Sequence, residues 1–180
     1  MTTASKITLV RIALIPFFML FLLLAISNPE FGYMRWIALV IFVVASVSDF
    51  ADGYIARHYN QVSTFGKFLD PVADKLLVTA CLIIFVEWGR MPSWAAVIVV
   101  AREFAVTGLR LVAANTGRVI AAGWSGKVKT FFTMVGLTVM MAITGSIVLD
   151  WIINIGIVAT TIYSGVEYFQ KNWDCLNLKA

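Results

Sequence analysis

Apolar residues run along this chain in blocks of about twenty, the length a helix needs to cross a hydrocarbon core about 30 Å thick. Polar residues are confined to the gaps between blocks and to a few positions inside them. Six stretches reach the required length once those internal charges are admitted. They run from about Ile7 to Ile26, Met34 to Arg57, Asp70-Pro71 to Trp88, Pro92 to Ala114, Thr130 to Leu149, and Trp151 to Phe169. Asn28-Pro29-Glu30 is a turn signal after the first. Pro71 suits the first turn of the third, and Gly117 marks the exit from the fourth. The fifth is uncharged throughout and is the cleanest of the set. Connections are short and no period repeats. The pattern predicts an all-α, polytopic membrane protein with six transmembrane helices, folded as one domain over residues 1–180.

Composition agrees with that pattern. The chain is 61% hydrophobic and 13% charged, with a mean hydropathy of +0.89, too apolar to clothe a soluble domain in polar surface. Its net charge of +4 is not gathered into a basic run or face, so nucleic acid is not expected as a partner. The N-terminal apolar block is longer than a signal-peptide core and shows no small-residue cleavage site, so it reads as a span. Cys81 and Cys175 are far apart and make no metal or redox spacing.

Lys and Arg set the orientation. With a cytoplasmic N-terminus, the cytoplasmic side collects Lys6, Arg11, Arg57, Lys67, Lys75, Arg110, Arg118, Lys127, Lys129, Lys171 and Lys179. The other side holds only Arg35 and Arg90, and Arg102 lies within a span. Both termini are therefore expected in the cytoplasm. Trp36, Trp88, Trp94 and Trp151 then fall near the outer ends, where interfacial tryptophans gather.

Candidate chemistry lies in Asp49–Lys75, DFADGYIARHYNQVSTFGKFLDPVADK. Asp49, Asp52, Gly53 and Ala56 follow helical spacing and share a face, with Arg57 at the helix end. Gly66, Asp70 and Asp74 repeat every fourth residue on the next helix. Asp49 lies roughly 8 Å inside the span, within reach of the cytoplasm. Four carboxylates so placed repel one another and resist desolvation. Hard divalent cations relieve both effects, and oxygen ligands select Mg²⁺ or Mn²⁺ over Zn²⁺. Two ions suit phosphoryl-type transfer, which must stabilise an attacking and a leaving oxygen. Gly53 and Ala56 leave room for a ligand, and Arg57 offers a planar cation to a phosphate. The plainer alternative is four unrelated aspartates paired with Arg57, Lys67 or Lys75 at helix ends. Inside a span, where ionisable residues are rare and usually functional, the metal site is favoured. His58, the only histidine, stands at a helix end and reads as a surface residue.

The run Asp49-x2-Asp52-Gly53-x2-Ala56-Arg57-x8-Gly66-x3-Asp70-x3-Asp74 resembles, without a gap, the signature of the CDP-alcohol phosphotransferase family. The resemblance implies attack of an alcohol on a CDP-linked lipid with release of CMP. It implies two Mg²⁺ or Mn²⁺ ions held by Asp49, Asp52, Asp70 and Asp74, with Asp74 also the general base. Gly53, Ala56, Arg57, Ser63 and Gly66 would contact the cytidine diphosphate. The family often opens with Asn-x-x-Thr-x-x-Arg. Here Ser5 stands in place of the Asn, while Thr8 and Arg11 are kept, and Thr8 is a further candidate contact. A homodimer in the bacterial cytoplasmic membrane, its active site facing the cytoplasm, is also implied.

A second basic set follows: Arg102 beside Glu103 inside the fourth span, then Arg110, Arg118, Lys127 and Lys129. An intramembrane arginine needs a partner, for which Glu103 or an aspartate is available. The lysines read either as positive-inside anchors or, with the arginines, as a pocket for an acceptor phosphate. Ala101–Arg110, AREFAVTGLR, and Gly126–Thr130, GKVKT, resemble the bacterial phosphatidylglycerophosphate synthases, a branch of the same family. The substrates thereby implied are CDP-diacylglycerol and sn-glycerol 3-phosphate. Synthases of cardiolipin, phosphatidylserine or an inositol phospholipid are the alternatives within the family. A cation transporter is the rival class, but it would favour midplane sites and paired repeats, which the chain lacks.

Overall fold

The structure, a computed structural model, describes residues 3–58, 64–115 and 123–173. Among them are six α-helices: α1 (Thr3–Ser27), α2 (Met34–His58), α3 (Thr64–Glu87), α4 (Ser93–Asn115), α5 (Trp124–Ala142) and α6 (Ile147–Lys171). A short 3₁₀ turn, Pro29–Phe31, joins α1 to α2, and no strand occurs among the described residues. The helices divide between two compact units. The first holds α1, α2, α3 and residues 137–145, and the second holds residues 90–136 with α6 and the C-terminus.

In the first unit α1 packs on α2 and α3. Its buried stripe is Thr8, Arg11, Ile15, Phe18 and Leu22, alternating steps of three and four that hold one helix face toward its neighbours. Leu9, Val10, Phe17 and Leu20 on the other faces are exposed and equally apolar. On α2 the matching stripe is Ala38, Phe42 and Ala45, and the Phe18 and Phe42 rings meet at 5.7 Å between centroids. Gly89, at φ 72°, takes a left-handed turn just after α3, which ends that helix cleanly.

In the second unit α4 packs on α6 through Val106, Leu109, Ala113 and Tyr168. The N-terminal ends of this pair are clasped by Arg90, whose Nε and Nη2 donate to the two carboxylate oxygens of Asp150 at 2.8 and 2.5 Å. Asn154 adds a bond from its Nδ2 to the Arg90 carbonyl at 2.8 Å. Between α5 and α6 the approach is close at Gly136, where a Cβ would lie 2.8 Å from Ile153 Cγ2. Gly136→Ala is therefore expected to cost about 1–3 kcal/mol in overpacking against a β-branched neighbour, outweighing the ~1 kcal/mol gained in helix propensity. Gly108→Ala on α4, where nothing lies within 4 Å, should be neutral or stabilising. Thermal unfolding of the two variants in detergent compares them directly.

Expected and observed boundaries differ most at the third and fifth spans. The fifth span was expected over Thr130–Leu149, but α5 ends at Ala142 and α6 starts at Ile147. Gly145 turns the chain at φ 91°, and Ser146 caps α6 by accepting a bond from the Leu149 N–H at 3.3 Å. Conformation breaks the helix there, and no change of polarity marks it. The third helix begins at Thr64, so it runs on through Pro71 rather than starting there. Its earlier start puts Gly66, Asp70 and Asp74 on one helix.

By length and apolarity, Thr8–Ser27 and Ile147–Lys171 qualify to cross a membrane. The other helices carry charges within their length. In α2 the apolar part is Met34–Ser48, after which the aspartates begin.

Candidate active site

The acidic motif occupies the end of α2 and the beginning of α3, which are separated by only five residues in sequence. By backbone register Asp49, Asp52 and Ala56 continue the buried stripe of Ala38, Phe42 and Ala45 in steps of four and three. Asp70 likewise precedes Ala73 and Leu77, and Asp74 precedes Leu77 and Cys81, all of which are buried. Along both helices the register of buried apolar positions thus runs on into the positions of the aspartates.

The N-terminal part of α1 reaches that end too. The tight return at Asn28–Tyr33 makes α1 and α2 antiparallel, and the Phe18–Phe42 contact sets their register. Seven residues back from Phe18 is Arg11, and seven on from Phe42 is Asp49. Ten residues back is Thr8, and ten on is Asp52. Equal steps along two helices cover equal rise, so Thr8 and Arg11 stand level with Asp52 and Asp49. Both are buried, at 1% and 2% exposure. Sequence reasoning singled out Thr8 and counted Arg11 among the cytoplasmic charges. The structure puts both on the same interior stripe. Ser63 lies outside the described residues.

The donor set fits hard cations. Its four members are carboxylates, with no thiolate or imidazole among them, and such oxygen ligands suit Mg²⁺ and Mn²⁺.

The basic residues of the second unit separate into distinct settings. Arg102 donates from Nη1 to Glu103 Oε1 at 3.0 Å and from Nη2 to Ser164 Oγ at 2.6 Å. Lys129 reaches the same Oε1 from α5 at 2.5 Å, and its side chain is 4% exposed. Gly126, one turn before Lys129 on α5, lies beside the guanidinium, where a Cβ would be in ordinary contact at 3.6 Å from Arg102 Nη2. Arg110, two turns along α4 from Arg102, donates from Nε to Tyr168 Oη at 3.0 Å, with its guanidinium 5.5 Å from the ring centroid. Lys127 is exposed, with its ammonium 6.0 Å from the Trp124 ring centroid. Arg118 lies outside the described residues.

Arg102 and Lys129 are thus brought together through Glu103, as the need for an intramembrane partner anticipated. Lys127 and Lys129 are not. Two residues along a helix is a turn of about 200°, which sends neighbouring side chains to opposite sides. Sequence reasoning missed Ser164 and Tyr168. The signal was present in α6, where Asn154, Thr161 and Tyr168 recur every seventh residue inside an apolar run and are buried.

The family model described as CDP-alcohol phosphatidyltransferase matches residues 1–163. A Bacillus subtilis protein named CDP-diacylglycerol–glycerol-3-phosphate 3-phosphatidyltransferase is 42% identical, over 96% of this chain and 95% of its own. Proteins of the same name from Rickettsia bellii and Escherichia coli K12 are 36% and 41% identical. The Rickettsia match covers 92% of each chain, and the Escherichia match covers 74% of this chain and 72% of its own. With the acidic motif intact at the junction of α2 and α3, and the match running through nearly the whole length, this chain is a member of the CDP-alcohol phosphatidyltransferase family.

Proposed function

We propose that the protein transfers the phosphatidyl group of CDP-diacylglycerol to sn-glycerol 3-phosphate, giving phosphatidylglycerophosphate and CMP. The observation that carries this reading is the unbroken acidic motif on two successive helices, in a chain 42% identical to a relative named for that reaction. The burial of Lys129, joined to the partly buried Arg102 through Glu103, supports an anionic acceptor, because cations are kept inside apolar helices only for a purpose that offsets their cost.

In this reading Asp49, Asp52, Asp70 and Asp74 would hold two Mg²⁺ or Mn²⁺. When bound, these ions neutralise the diphosphate and the charge that gathers on departing CMP. Asp74 also receives the proton of the attacking glycerol hydroxyl. Arg57 pairs with a phosphate of the nucleotide. Gly53, Ala56 and Gly66 leave the backbone open beside the cytidine diphosphate, with Thr8 and Ser63 as polar contacts. Arg102, Arg110, Arg118, Lys127 and Lys129 draw in the acceptor phosphate. The C–O–P bond forms from the acceptor oxygen as the bond to CMP breaks.

The two units work as one catalytic domain, with six spans, both termini in the cytoplasm and the aspartates facing it. Exposed Phe17, Val40, Val97, Phe104 and Ile155, spread over four helices, support a lipid surround, since a water-facing protein of this size would not present so much apolar surface. The protein acts as a homodimer in the bacterial cytoplasmic membrane.

The test is CMP release by purified protein given CDP-diacylglycerol, Mg²⁺ and a panel of alcohols. Glycerol 3-phosphate should far exceed glycerol, serine and inositol. EDTA should abolish the reaction, and Mg²⁺ or Mn²⁺ should restore it. Equal use of glycerol would remove the anionic-acceptor assignment, and full turnover in EDTA would remove the metal mechanism.

A further inference from the structure

We propose that Tyr168 is a positioning residue for the acceptor: its phenol oxygen holds the Arg110 guanidinium by Nε and leaves both terminal nitrogens to grip the phosphate of glycerol 3-phosphate. The inference rests on the acceptor reading above and adds to it the group that aims one of its cations.

Arg110 Nε donates to Tyr168 Oη at 3.0 Å, and the guanidinium carbon stands 5.5 Å from the ring centroid. A guanidinium offers an oxyanion two kinds of fork, one made by Nε with a terminal nitrogen and one by the two terminal nitrogens. The bond to Tyr168 closes the first and leaves the second, on an arginine that is exposed. Arg102, two turns earlier on α4, is the reverse case, with Nη1 and Nη2 taken by Glu103 and Ser164. Of these two arginines, Arg110 is therefore the one whose terminal fork is open.

The holder is fixed and neutral. Tyr168 is 6% exposed and packs with Val106, Leu109 and Ala113. Asn172 Nδ2 donates to its carbonyl at 2.7 Å, at the end of α6. A phenol orients the guanidinium without cancelling its charge, as a carboxylate would. Among the described residues no carboxylate pairs with Arg110: Glu103 is joined to Lys129 and Arg102, and Glu167 to Lys171. An arginine ordered in advance gives up less side-chain freedom when it binds its anion.

Tyr168→Phe removes only the oxygen and keeps the ring, its packing and its contact with the cation, so the fold should hold. The KM for glycerol 3-phosphate should rise about fivefold, the scale of ordering one long side chain on binding. The kcat and the KM for CDP-diacylglycerol should stay at the parent values. Arg110→Gln should raise the acceptor KM by about tenfold or more. Adding Tyr168→Phe to it should change nothing further, because the phenol acts through the arginine. A merely structural contact predicts a lower melting temperature with the acceptor KM unchanged, or kcat and both KM values worsening together. Either result overturns the proposal, and so does a Tyr168→Phe effect that persists in full beside Arg110→Gln. The single arginine variant separates this inference from the reading beneath it. If Arg110→Gln leaves the acceptor KM alone, Arg110 is no acceptor contact and the role of Tyr168 falls with it. If it raises that KM while Tyr168→Phe does not, only the role of Tyr168 fails.

Discussion

Asp74→Asn is expected to lower turnover by about a thousandfold, within the 10²–10⁴ range for loss of a positioned general base. The substitution keeps the shape of the side chain and removes its charge and basicity. On α3 it stands one turn beyond Asp70 and one turn before the buried Leu77, well inside the helix. An amide there relieves repulsion among four carboxylates, so the fold should hold. The acceptor hydroxyl would then have no neighbouring base, and the metal pair would lose a shared ligand. CDP-diacylglycerol should still raise the melting temperature of the variant in the presence of Mg²⁺, because Arg57 and the other three aspartates remain. Single-turnover CMP release measures the chemical step directly. A rate within about tenfold of the parent, or ~1.4 kcal/mol in barrier, would rule out the base role.

The largest effect on stability is expected at Asp150. Its carboxylate accepts two bonds from Arg90, and the two side chains are 11% and 9% exposed. Asp150→Ala removes the carboxylate that takes both of these Arg90 bonds, and breaking a buried pair from one side costs about 3–5 kcal/mol. Asp150 also lies in the first turn of α6, where an acidic side chain meets the positive end of the helix dipole. Removing both partners should cost much less than removing one. Arg90→Met combined with Asp150→Leu is therefore expected to recover most of the loss, as a double-mutant cycle would show. Denaturant or thermal unfolding in detergent reads the stabilities. Arg90 lies twelve residues from Arg102 along the chain, mostly within α4, or roughly 18 Å at helical rise. Acceptor KM in the folded fraction should accordingly stay close to the parent value. Stability of Asp150→Ala indistinguishable from the parent's would show that the clasp contributes nothing net.

Most of the helical architecture was legible in the pattern of apolar and polar positions. The starts and ends of α1, α2 and α4 lie within a few residues of expectation, because a turn signal or a change of polarity marks each. The acidic motif was legible for a different reason. Helical spacing alone places Asp49 with Asp52, and Asp70 with Asp74, on shared faces. What spacing could not supply was the level of α1 beside them. The packed pair Phe18 and Phe42 sets that level, and it brings Thr8 and Arg11 alongside the aspartates.

Tertiary structure decided the rest. The uncharged run 130–149 looked like one span because nothing polar interrupts it, yet Gly145 and the Ser146 cap divide it between two helices. Lys127 and Lys129 were read as members of one basic set, but helical geometry sends them apart, and only the side-chain bond from α5 to α4 gives Lys129 its partner in Glu103. Ser164 and Tyr168 gain their meaning in the same way, from arginines about sixty residues away in sequence. Periodicity along one helix is a local property that a sequence carries openly. Which charges meet across helices depends on register and rotation, and these are determined only when the apolar faces pack.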